Sequence, residues 1–102
     1  MSQTILRHAA ASDRYEIVVD DTIAGFAEYT REGGVVTFTH TVIEPAYEGQ
    51  GLGTQLARFA LDDVRANGLR IVPQCSFIRA WVKRHPEALD LVTDEARSRY
   101  GL

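Results

Sequence analysis

Between Tyr15 and Glu44 apolar and polar residues alternate, which is the period of strands with one buried face. Tyr15 to Val19 is a run of β-formers, and Asp20-Asp21 supplies the turn after it. Thr22 to Thr30 reads as a second strand with Ile23, Gly25, Ala27 and Tyr29 on one face. Glu32-Gly33-Gly34 is a hairpin signal, and Val35 to Glu44 is a third strand whose pairing Pro45 ends. Three strands joined by short turns predict an antiparallel meander. Residues 1–14, small and polar, read as a segment that frays.

The period then lengthens. Leu52, Leu56, Phe59, Ala60 and Val64 recur at helical spacing, and Asn67-Gly68 closes that helix. A short strand, Leu69 to Val72, follows and is interrupted by Pro73. Ser76 is placed to cap a second helix carrying Phe77, Ile78, Trp81 and Val82, which His85-Pro86 ends. Glu87 to Val92 adds another helical turn or two. The order βββ-α-β-α mixes a meander with a crossover helix, so the expected class is α+β in a single domain, 1–102.

Composition narrows the function classes. The 102 residues carry a formal charge of −3, which gives no basic excess for nucleic acid. The N-terminus reads as lacking a signal peptide, and no apolar run approaches the ~20 residues that span a membrane. Cys75 is the one cysteine, which argues against a disulfide framework and for a reducing compartment, the cytoplasm. With three histidines and one cysteine off any ligand spacing, no metal is expected.

The informative segment is Tyr47-Glu48-Gly49-Gln50-Gly51-Leu52-Gly53-Thr54, between a strand end and a helix start. Alternate glycines let backbone approach a ligand, and the helix N-terminus offers unpaired N–H groups with a positive dipole. Together they form a turn suited to phosphate oxygens. A Rossmann loop would need glycine where Thr54 stands, and the chain has no Gly-Lys pair for a Walker loop. A plain glycine turn capping a helix is the alternative reading.

Glu48-Gly49-Gln50-Gly51-Leu52-Gly53 resembles the pyrophosphate loop of the GNAT superfamily, the acetyl-CoA-dependent N-acetyltransferases, whose pattern is [QR]-x-x-G-x-[GA]. Glu48 departs from it, standing where Arg or Gln is usual. His40-Thr41-Val42-Ile43, Val72-Pro73-Gln74-Cys75-Ser76-Phe77 and Arg84-His85-Pro86-Glu87 extend the resemblance to a short single-domain branch, over roughly Tyr15 to Val92. The resemblance implies acetyl-CoA as cosubstrate and an amine acceptor that the residues do not identify. It implies cofactor contacts at Gly49, Gln50, Gly51, Leu52, Gly53 and Thr54, joined by Thr41, Val42, Cys75 and Phe77. Arg79, Lys83 and Arg84 are candidates for phosphate, or a solvated basic helix end.

The resemblance also implies that pantetheine lies where Val35–Glu44 splays from Leu69–Cys75, with the thioester near His40 to Val42 and Cys75. His40 alternates with Val36, Phe38 and Val42, so it reads as a residue of an apolar face, either a core imidazole or a neutral general base. Cys75 precedes a helix start, where the dipole favours a thiolate; it is nucleophile, acid or packing. The tyrosine that many superfamily members use as an acid has no counterpart, since Trp81 and Val82 hold that stretch. The expected activity is direct transfer of acetyl to an amine. The alternative is a non-catalytic acyl-CoA-binding module.

Overall fold

A computed structural model describes residues 3–102 and threads them through a five-stranded sheet in which neighbours in sequence are neighbours in space. Strands β1 (Thr4–Ala9), β2 (Arg14–Val19), β3 (Thr22–Glu32) and β4 (Val35–Ile43) run antiparallel. Helix α1 (Leu52–Ala66) crosses over to β5 (Arg70–Pro73), which pairs parallel with β4. Then come α2 (Ser76–Arg84), a 3-10 segment (Pro86–Leu91) and α3 (Asp94–Tyr100). The class is α+β, and among the described residues no helix is long and apolar enough to cross a membrane.

Several local expectations need correction. The segment expected to fray forms β1, because Leu6 and His8 sit opposite Ile17 and Tyr15 and face α1 with them. Ile23 leaves the face of Gly25, Ala27 and Tyr29: an irregularity opposite Ile17/Val18 inserts Ala24, so Ile23 pairs with Val18. Pro73 belongs to β5 rather than interrupting it, as an edge strand tolerates a missing N–H. The N-cap of α2 is Cys75, with no side-chain cap bond, and Ser76 is already helical. Asp20 and Asp21 both take positive φ, matching a tight two-residue hairpin turn.

One sheet face is covered and the other mostly open. Helix α1 lays Leu52, Leu56, Ala57, Ala60, Leu61 and Val64 over Tyr15, Ile17, Ala27, Tyr29, Val36 and Phe38, forming the core. Ile78, Trp81 and Val82 of α2 join the same cluster. On the opposite face Glu16 is only 3% exposed, yet it is fully ion-paired. Arg7 Nε and Arg14 Nε each donate to one of its carboxylate oxygens at 2.6 Å. Burial alone would raise the Glu16 carboxyl, but these two arginines hold it below its ordinary range.

A carboxylate lowered in the folded state stabilises the fold above its unfolded pKa, and that contribution is lost as pH falls through the folded value. Glu16→Gln is therefore expected to cost about 1–3 kcal/mol at neutral pH. Urea unfolding of both proteins at pH 7 and pH 3 checks this: the gap should shrink at the lower pH. A gap of equal size at both would contradict the assignment.

Candidate functional site

The site begins with one surplus residue. β3 and β4 pair as Tyr29↔Phe38 and then Glu28↔His40, leaving Thr39 without an opposite number. Thr39 Oγ1 donates to the Glu28 carbonyl at 3.4 Å. Because side chains alternate along a strand, one extra residue exchanges the faces of all that follow. Val36 and Phe38 point to α1 before the bulge; after it Thr41, opposite Ala27, takes that face. His40 emerges on the other face, opposite Glu28, and is exposed. The expectation of an apolar-face histidine is corrected for this reason.

Next to the bulge, β4 and β5 part. They pair only from Val35↔Arg70 to Phe38↔Pro73. Gln74 N then donates to Val72 O at 3.0 Å and Cys75 N to Phe38 O at 2.7 Å, and the chain turns into α2. Thr39 to Ile43 keeps β3 on one edge and has no strand on the other. Cys75, 7% exposed, sits at this fork with its Sγ 3.2 Å from Thr41 Oγ1. The structure thus brings Thr41 and Cys75 together on the α1 side of the fork, with His40 across it.

The glycine loop lies beyond the end of β4, after a 3-10 turn at Pro45–Tyr47. Gly49 and Gly51 have φ of 80° and 74°, and Gly51 is the N-cap of α1. None of the amides from Gly49 to Thr54 donates to a backbone carbonyl. They surround a cleft of about 230 Å³ lined by Gly49, Gly51, Leu52, Gly53, Thr54 and Phe77, with Ile43, Tyr47 and Glu48. A Cβ built on Gly51 would meet nothing within 4 Å, so its side of the loop is open. A Cβ on Gly53 would fall 2.6 Å from Phe77 Cζ, so that glycine lets the α2 ring close against α1. Unpaired amides, a helix N-terminus and an apolar wall can hold a phosphate ester with an apolar tail.

Other expected contacts are more distant. Gln50 is exposed on the loop, and Val42 lies on the outer face. Lys83 and Arg84 are exposed at the far end of α2 and do not line the cleft; six residues of helix carry Lys83 about 9 Å beyond Phe77. Arg79 is committed elsewhere: it donates to Pro73 O (3.2 Å) and Gln74 O (2.8 Å) and stacks over Tyr100. Trp81 packs in the core, stacked on His85.

A second cluster was not anticipated. At the opposite end of the sheet His8, Tyr15, Tyr29 and Asp63 line a cleft of about 100 Å³. Tyr15 Oη donates to Asp63 Oδ2 at 2.7 Å, the His8 ring stacks on Tyr15, and His8 Nε2 lies 2.6 Å from Tyr29 Oη. Burial, reinforced by Asp63, pushes the Tyr15 phenol upward. The signal lay in β1, whose pairing alone brings His8 to these rings.

A family model described as GCN5-related N-acetyl-transferase matches residues 14–91. The chain belongs to this family. It is similar to protein NATD1 of Bos taurus, 38% identical over 52 residues that cover 51% of this chain and 46% of NATD1. The chain thus spans about half the length of the curated relatives it matches. In fold it is similar to a GCN5-like protein of Staphylococcus aureus, with a TM-score of 0.70, 20% identity and 91% of each chain covered. It is also similar to a GNAT family acetyltransferase of Brucella melitensis, solved in complex with acetyl-CoA. That match has a TM-score of 0.51 and 23% identity, covering 72% of this chain and 55% of the other.

Proposed function

We propose that this protein is an acetyl-CoA-dependent N-acetyltransferase that passes the acetyl group directly to an amine. The observation that carries the reading is that the glycine cleft is lined by Ile43, the last residue of the β4 edge left unpaired beyond the fork between β4 and β5. A phosphate-binding turn stands at one end, and an unpaired strand edge flanked by Thr41, Cys75 and His40 at the other. The family membership and the acetyl-CoA complex of the Brucella relative support it. A cytoplasmic location, suited to the lone free thiol, belongs to the same proposal.

In this reading the amides of Gly49 to Thr54 hold the pyrophosphate, while Ile43 and Phe77 cover the apolar arm. Acetyl-CoA supplies an activated acyl group, and free N–H groups on the β5-facing edge of β4 polarise its carbonyl. The amine arrives from the outer face, where His40 takes its proton. On the α1 side the Cys75 thiol or a water returns a proton to the departing sulfur. Most of the rate comes from holding amine and carbonyl in line across the fork.

The loop assignment predicts a selective loss. Gly51→Val fills the open side of the loop and should weaken coenzyme A binding more than tenfold, over 1.4 kcal/mol. Gly68→Val is the control: its glycine also has positive φ and open surroundings but lies past the other end of α1. Calorimetric titration should show near-normal affinity in that control. Unchanged affinity in a folded Gly51→Val protein would refute the assignment.

Direct transfer predicts that coenzyme A release depends on amine and that no acyl-enzyme accumulates. Intact-mass spectrometry after mixing with acetyl-CoA, followed by an amine panel, reads both. Cys75→Ala should lower turnover without abolishing it, and His40→Ala should alter the pH dependence of the rate. A stoichiometric acetyl adduct that disappears in Cys75→Ala would overturn direct transfer. Tight coenzyme A binding with no transfer to any amine would overturn the enzyme in favour of a binding module.

A further inference from the structure

The bulge does more than expose His40; it sets the residue beside a carboxylate. Across the outer face the register aligns Arg14 of β2, Glu28 of β3 and His40 of β4 in one row. Arg14 is committed, since its Nε donates to Glu16 and its guanidinium lies 4.6 Å from the Phe26 ring centre. Glu28 is half-buried, yet among the described residues its carboxylate has no hydrogen bond and no ion pair. A half-buried charge without a counter-ion is costly unless a ligand supplies one. Directly opposed residues hold their Cβ atoms about 4.5–5.5 Å apart, so one small cation can touch both Glu28 and His40.

We infer that Glu28 is the acceptor-binding residue of the site and that the acceptor is a primary alkylammonium presented from the open face of the sheet. The inference rests on the acetyltransferase reading above. The ammonium docks on Glu28 and gives its proton to the His40 imidazole, leaving a neutral amine and an imidazolium. The positive charge moves only from one neighbour of Glu28 to another, so the carboxylate remains its counter-ion throughout. The amine lone pair then forms the C–N bond, the C–S bond breaks with its electron pair going to sulfur, and the nitrogen's surplus proton ends on that sulfur. The imidazolium returns its proton to water. A lysine side chain and a free polyamine share this chemistry.

The test uses the whole chain saturated with coenzyme A, titrated with n-butylammonium and followed at backbone amides by NMR. Shifts should centre on Glu28 and His40. Glu28→Gln should weaken n-butylammonium at least fivefold, Glu28→Asp should retain it, and n-butanol or butyrate should leave those amides unmoved. Equal n-butylammonium affinity in Glu28→Gln would overturn this inference while coenzyme A binding stands. Absence of coenzyme A binding in the unmodified protein would instead overturn the acetyltransferase reading itself. If Glu28→Gln failed to fold, Glu28→Ser would carry the same comparison. Comparing an acetylated-protein readout with acetylspermidine then separates protein lysine from free polyamine as the source.

Discussion

Between Phe38 and His40, β4 carries one residue more than β3 can pair, and at the same level β5 stops pairing with β4. These two mismatches lie side by side and act together. The bulge swaps the faces of β4, sending Thr41 toward Cys75 and His40 to the outside. The early end of β5 leaves the far half of β4 with an unpaired edge, whose backbone groups require partners from water or a ligand. A longer β5 would satisfy that edge and fill the space. Pro73 and the immediate turn into α2 prevent it.

Helix α1 ties the two ends of the sheet to different tasks. Its N-terminus, with unpaired amides over the glycine loop, stands on the side of the fork. Its second half carries Asp63, which accepts from Tyr15 and gathers His8 of β1, so an edge strand is pinned to the helix by polar contacts. The outer face, left open over β1 to β3, is kept wettable by Arg7, Glu16 and Arg14. A buried carboxylate bracketed by two guanidinium groups is weak evidence for net stability, but it is costly to break by halves. Glu28, on the same face, has no ion pair among the described residues.

Much of this fold was legible because its longer elements obey simple periods. The stripe Leu52, Leu56, Ala60, Val64 specified α1, and Tyr15–Val19 and Val35–Ile43 read directly as strands. The glycine turn before α1 was legible because backbone conformation is what glycine spacing encodes, and Gly49 and Gly51 both take positive φ. What failed were face assignments beyond a bulge. Strict alternation placed Ile23 with Gly25 and His40 with Phe38, and nothing local in Ala24 or Thr39 marks an extra residue; the mismatch exists only between paired strands. β1 was missed because Thr4–Ala9 is mostly exposed and gains its structure from β2. Thr93 caps α3 through a bond from Ala96 N, in a segment whose lack of an apolar stripe hides the helix from periodicity.

In the proposed reaction the thioester lies in the fork between β4 and β5, with Cys75 and His40 on opposite sides of it. A crystal structure of the protein with coenzyme A tests this most directly. The pyrophosphate should lie on the amides of Gly49 to Thr54 and the sulfur in the gap between Thr39–Ile43 and Cys75, facing His40 across the sheet. Coenzyme A bound along another surface, or a sulfur ending outside the fork, would contradict it.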